Sequence, residues 1–120
     1  MTKKTLVIGA SENTERYSNK AIHALQKYQQ PAVAIGNKPG KVLDVNIDIE
    51  KIHYENIDTV SLYVGKARQP EYYEYILSLR PNRIIFNPGT ENEELVQLAS
   101  QANIQCLEAC TLVMLHTGQY

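Results

Sequence analysis

Short runs of apolar, often β-branched residues recur along this chain, and helical patterns fill the gaps between them. The runs are TLVIG (5–9), AVAIG (32–36), TVSLYVG (59–65), RIIFN (83–87) and IQCLE (104–108). Between the first two, Ala21, Ile22, Leu25 and Tyr28 recur at helical spacing. After Pro70, Tyr72 (or Tyr73), Ile76 and Leu79 share a face, and after Thr90 Leu95, Leu98, Ala99 and Ala102 make a third stripe. Near-continuous apolar strands alternating with amphipathic helices require a sheet covered on both faces. The pattern predicts a single doubly wound α/β domain over residues 1–120, Rossmann-like, with a mostly parallel sheet of five or six strands. Residues 37–58 break the rhythm. There Leu43, Val45, Ile47 and Ile49 alternate with polar residues, the period of a half-exposed edge strand of either direction.

In such a fold the 5–9 strand is central, with 32–36 on one side and 59–65 on the other. Ligands bind in the crevice beyond the carboxyl ends of those strands. The lining expected there is Gly9–Ser11, Gly36–Lys38, Tyr63–Lys66 and Asn87–Gly89. The stretch LVIGASENTERYSNKAI has one glycine of a dinucleotide-binding turn, Gly9, and lacks the others. Gly9 permits a tight turn, Ser11 and Ser18 offer hydroxyls, and Arg16 and Lys20 bring positive charge. A helix starting near Tyr17–Ser18 would aim free N–H groups and its dipole at an anion. The plain alternative makes Gly9 a turn and Ser18 a helix cap.

The second strand ends IGNKPGK, without the carboxylate that would hold the ribose hydroxyls of NAD. Lys38 and Lys41 instead suit a phosphorylated ribose, as in NADP or coenzyme A. With a net charge of −1, no global field attracts nucleic acid or an anionic membrane, so any anion is caught locally. Hydrophobic residues at 43% and charged residues at 21% are ordinary for a globular domain. No stretch approaches the roughly 20 apolar residues of a membrane span, and the amino terminus lacks a secretory pattern. Cys106 and Cys110 form neither a C-x-x-C motif nor a disulfide framework, so a cytoplasmic location is expected.

VIGASENTERYSNKAI, AIGNKPGK, SLYVG, NPGTENEEL and EACTLVML together resemble the stand-alone bacterial CoA-binding domain family. That family is similar to the amino-terminal domain of the succinyl-CoA synthetase α subunit. The resemblance spans nearly the whole chain, in order. It implies that coenzyme A or an acyl-CoA is the ligand, with Gly9, Ala10, Ser11, Arg16, Ser18 and Asn19 around the diphosphate. It also places Asn37, Lys38 and Lys41 at the adenosine end, and Tyr63 and Val64 beside the middle of the cofactor. Gly-Asn-Lys-Pro stands here where the family more often has Val-Asn-Pro-Lys.

The segment NPGTENEEL reads as a capping box of Thr90 with Glu93, whose carboxylates would repel phosphate. Asn87, Pro88 and Gly89 are left to touch an uncharged part of the ligand, such as pantetheine. Cys110 precedes a short final helix and reads first as a small buried hydrophobe, second as a nucleophile. His23, His53 and His116 show no metal or triad spacing, so neither metal nor catalytic residues are expected. The tyrosines of the 72–75 stretch serve core packing or a subunit contact. The leading expectation is a small-molecule-binding module without chemistry of its own. The alternatives are an NADP-linked or Cys110-dependent acyl-transfer enzyme, and a homodimeric interaction protein with a vestigial site.

Overall fold

All five apolar runs become strands, and the interrupted segment supplies two more. The computed structural model describes residues 2–120. In chain order the elements are β1 (Thr5–Ala10), α1 (Tyr17–Lys27), β2 (Ala32–Gly36), β3 (Gly40–Val42), β4 (Val45–Asp48) and β5 (Thr59–Leu62). A 3-10 helix (Lys66–Tyr72) runs into α2 (Tyr73–Leu79), followed by β6 (Arg83–Phe86), α3 (Glu93–Gln101), β7 (Gln105–Glu108) and α4 (Thr111–His116). The seven strands form one sheet in the order β3-β4-β2-β1-β5-β6-β7. Every pairing is parallel except β3 with β4. The doubly wound α/β fold is as the sequence pattern required, with seven strands in place of five or six.

The extra strand is β3, residues 40–42, which lies ahead of the 43–49 run expected as one edge strand; of that run Val45–Asp48 forms β4. Leu43 adopts a left-handed φ of 56° in a tight turn, so the chain reverses there and β3 returns as β4. Ile47 is buried beside Ala34, while Leu43 and Ile49 are exposed. β4 runs parallel to β2, and the hairpin partner β3 forms the edge.

On one face, Leu6, Ile8, Val60, Leu62, Ile84 and Phe86 pack under Tyr72, Ile76, Leu79, Leu95 and Ala99 of the α2 and α3 side. On the other, Val7 and Ala34 meet Ile22 and Leu25 of α1 and Leu115 of α4. Fully burying each such Leu, Ile or Phe contributes about 1.5–3 kcal/mol. Tyr28, expected on the α1 stripe, lies at the helix end and is exposed. Tyr72 and Tyr75 go into the chain's own core. Gly36 marks the closest approach of two strand tips, since a Cβ there would lie 2.3 Å from the Ala10 carbonyl oxygen.

The amino-terminal edge of the sheet is polar. Arg83 is buried, donates from Nε to Thr59 Oγ1 at 2.8 Å, and lies 4.4 Å over the Tyr120 ring. The Tyr120 hydroxyl meets Thr5 Oγ1, and Lys3 Nζ donates to the Tyr120 carbonyl. Asp58 accepts from Thr59 Oγ1 at 2.6 Å and Asn82 Nδ2 at 2.8 Å. Burial by itself would raise the Asp58 carboxyl; those two hydrogen bonds and the Arg83 charge outweigh it and hold the carboxyl below its ordinary value. A depressed carboxylate stabilises the fold above its unfolded pKa and stops doing so as pH falls through its folded one. Asp58→Asn should therefore be less stable than wild type at pH 7, with the gap closing as pH drops below about 4. Urea midpoints measured across that range check this, and a gap independent of pH would refute it.

Candidate functional site

β1, β2, β5 and β6 all point their carboxyl ends to the same edge, and the loops leaving them enclose two adjoining cavities. The first, of about 610 Å³, is bounded by Gly9–Asn13, Arg16, Asn37–Pro39, Tyr63–Gly65 and Arg68. The second, of about 640 Å³, is bounded by Glu15, Tyr17, Ser18, Asn87, Pro88, Thr90, Cys110, Leu112 and Val113. Gly9, Arg16 and Tyr63 line both and form the ridge between them.

The turn from β1 to α1 is braced by its own side chains. Ser11 Oγ accepts from the Asn13 N–H at 3.0 Å, and Asn13 Oδ1 accepts from the Glu15 N–H at 2.9 Å. Asn19 is buried and donates from Nδ2 to the Ser11 carbonyl at 3.0 Å, tying turn to helix. α1 has Arg16 at its N-cap position, no side-chain cap and no acidic residue in its first turn. Its leading N–H groups and dipole therefore keep their attraction for an anion. Ser18 sits one residue inside the helix, buried, and is not the cap.

Of the residues singled out in the sequence, Gly9, Ala10, Ser11, Arg16, Asn37, Lys38, Tyr63 and Val64 meet around the first cavity. Ser18, Asn87 and Pro88 lie on the second. Asn19, Lys41 and Gly89 line neither. The Lys41 side chain is exposed, and its backbone N–H is held by Glu12 Oε2 at 2.8 Å. The Gly89 N–H is taken by the Glu91 carboxylate. Asn87 commits its side chain to the interior, donating to Ser61 Oγ and the Leu62 carbonyl and accepting from the Thr111 N–H at 2.8 Å. The expected capping box at Thr90 does not form. Asn92 caps α3 by accepting from the Glu94 N–H, and Thr90 Oγ1 donates back to the Asn87 carbonyl.

Arg68 is the site residue that sequence reasoning missed. It stands on the 3-10 helix, lines the first cavity, and donates from Nη2 to Asn37 Oδ1 at 2.5 Å. The signal was Gly65, which ends the TVSLYVG run and stands at the N-cap of the 3-10 helix. Lys38, Arg16 and Arg68 thus surround the first cavity with three cations, against Glu12. Tyr63 turns its hydroxyl inward, where it has no hydrogen-bond partner among the described residues. Burial pushes this phenol up to about 12, so it stays neutral through the physiological range.

Cys110 lines the second cavity as a half-buried free thiol, while Cys106 packs against the core. No histidine lines either cavity. His23 and His116 flank a separate groove between α1 and α4, and His53 lies in the exposed loop after β4. Among the described residues no three His, Cys, Asp or Glu side chains gather as a metal site would need, and no helix is long and apolar enough to cross a membrane.

A parallel sheet with a cationic, glycine-containing turn at its switch point defines the Rossmann-like class of α/β domain, whose ligands bind at that edge. The chain belongs to the family described as CoA binding domain, which matches residues 3–116. A crystal structure of an uncharacterized protein is 44% identical, superposes with a TM-score of 0.97, and is matched over 100% of this chain and 99% of its own. A hypothetical protein from Pyrococcus horikoshii OT3 is 23% identical with a TM-score of 0.86, over 98% of this chain and 84% of its own. The dinucleotide-forming acetyl-coenzyme A synthetase 1 of Ca. Korarchaeum cryptofilum, in complex with phosphate and ADP, is 14% identical with a TM-score of 0.75. That likeness, one of fold, covers 89% of this chain and 25% of the synthetase chain. No curated protein sequence matches.

Gly9 is the pivot of the site. Its φ is 94°, and a Cβ there would lie 3.0 Å from the Tyr63 carbonyl carbon. Gly9→Ala should cost about 1–2 kcal/mol from the backbone conformation alone, and more once Tyr63 is displaced. Chemical denaturation measures this, and a change below about 0.5 kcal/mol would show that the turn relaxes freely.

Proposed function

We propose that this protein is a small module that binds coenzyme A or its thioesters at the carboxyl edge of its sheet, without chemistry of its own. The observation that carries the reading is the first cavity: Arg16, Lys38 and Arg68 around an uncapped helix N-terminus and the Gly9 turn. Family membership supports it. The diphosphate lies against Gly9–Ser11 and Arg16, and the adenosine end lies at Asn37 and Lys38. The pantetheine arm crosses the ridge at Tyr63 towards Asn87 and Pro88.

Binding without turnover is supported by what lines the two cavities. Their titratable groups other than arginine, lysine and the tyrosines are Glu12, Glu15 and Cys110, and no nucleophile there is paired with a histidine base. Two free thiols suit a reducing cytoplasm.

Coenzyme A should raise the melting temperature more than NAD, NADH or NADP does. A ligand at a hundred times its Kd stabilises by about 2.7 kcal/mol, which a thermal scan resolves. Stabilisation by NAD or NADP and not by coenzyme A would overturn the reading in favour of a nicotinamide site.

The 3′-phosphate separates coenzyme A from dephospho-CoA and should meet Lys38 and Arg68. A charge-assisted contact at this open site should make dephospho-CoA bind about tenfold more weakly, with the difference shrinking as salt rises. Removing both cations, by Lys38→Ala with Arg68→Ala, should erase most of that discrimination. Lys41→Ala, outside both cavities, should have the smaller effect. Calorimetry with both ligands tests this; equal wild-type affinities would show that no cation reads the phosphate.

A further inference from the structure

The second cavity has walls that differ in kind from those of the first. At about 640 Å³ it has by itself the volume of a site for a whole drug-sized ligand. Tyr17, Pro88, Leu112 and Val113 give it an apolar lining. Tyr17 is 66% exposed and Val113 is 54% exposed, so two large apolar side chains flank the opening without being buried by the fold. A single exposed apolar residue is commonplace. Two that line the same cavity, joined by Leu112 and Pro88, form a surface suited to an apolar ligand.

The charges restrict that ligand further. Arg16 belongs to the ridge shared with the cationic cavity, which leaves Glu15 as the charged group peculiar to the second. A carboxylate at its rim opposes an acyl group that carries its own carboxylate. Cys110 lines the same cavity as the apolar groups.

Building on the coenzyme A reading, we infer that the ligand of the second cavity is an uncharged, medium-length aliphatic acyl group, carried into it as the thioester of coenzyme A. Tyr17, Leu112 and Val113 grip the chain, and Glu15 selects against dicarboxylic acyl groups.

Calorimetry on the full chain with coenzyme A, hexanoyl-CoA and succinyl-CoA tests this. Hexanoyl-CoA should bind at least tenfold tighter than coenzyme A, a difference of about 1.4 kcal/mol, and succinyl-CoA should bind no tighter. Val113→Asp places a charge on an exposed position, which the fold should tolerate, and should bring the hexanoyl-to-CoA ratio below about threefold. Tyr17→Ser provides a second variant, with the same expected fall in the ratio. If coenzyme A binds and hexanoyl-CoA gains nothing, the acyl site is wrong while the cofactor site stands. If none of the three binds, both fail. A ratio that survives in both variants places the chain elsewhere and overturns the assignment.

Discussion

Parallel pairing on both sides of β1 is the constraint from which the rest follows. β1 lies between β2 and β5, in register with each from Thr5 to Ile8, and β6 continues the same direction beyond β5. Helices packed on both faces of the sheet leave β1 no face to water, so Leu6, Val7 and Ile8 are all fully buried. Parallel pairing also puts the carboxyl ends of β1, β2, β5 and β6, with the four loops that leave them, on one edge. The cations of the first cavity come from three of those loops and converge only because the strands beneath them run together.

Loops brought to one edge still have to be fixed there, and two buried amides do much of that work. Asn87 links β6 to β5 and to the start of α4. Gln69, fully buried, donates to the Val64 and Thr90 carbonyls at 2.9 and 2.8 Å and accepts from Asn92 Nδ2. Each is buried with its partners supplied, the condition under which an interior amide specifies geometry instead of costing stability. The loops beside both cavities are therefore tied from inside by two buried amides.

The division between sheet and loops explains what the sequence disclosed. Strands buried on both faces leave continuous apolar runs, so β1, β2, β5 and β6 were legible, while β7, a half-buried edge strand, was legible from its place in the strand–helix rhythm. The β3–β4 hairpin was not, because its turn sits on Leu43, a residue type that rarely takes a positive φ. Glycine, serine and cation at the β1–α1 turn stood out through local chemistry, and Gly9, Ser11 and Arg16 do line the first cavity. The inward roles of Asn87 and Asn19, and the outward one of Arg68, depend on which way a loop turns, and no spacing rule encodes that. Lys41 shows the converse: its place in a family-like motif suggested the ligand, while the Glu12 carboxylate holds its backbone at the outer side of the loop.

The unequal anchoring of the two cavity walls has a consequence for motion. The first cavity is built on turns between central strands, whose opening would require breaking the middle of the sheet. One wall of the second is α4, a helix of six residues, followed by a tail pinned at Tyr120 against Thr5, Lys3 and Arg83. Short terminal elements open at far lower free energy than central strands. Fluctuation of this wall should thus be separable from unfolding, with hydrogen exchange along α4 expected to run ahead of exchange in β1 and β5. The first cavity is thereby built on the stiffer part of the fold, and the second on the more yielding part.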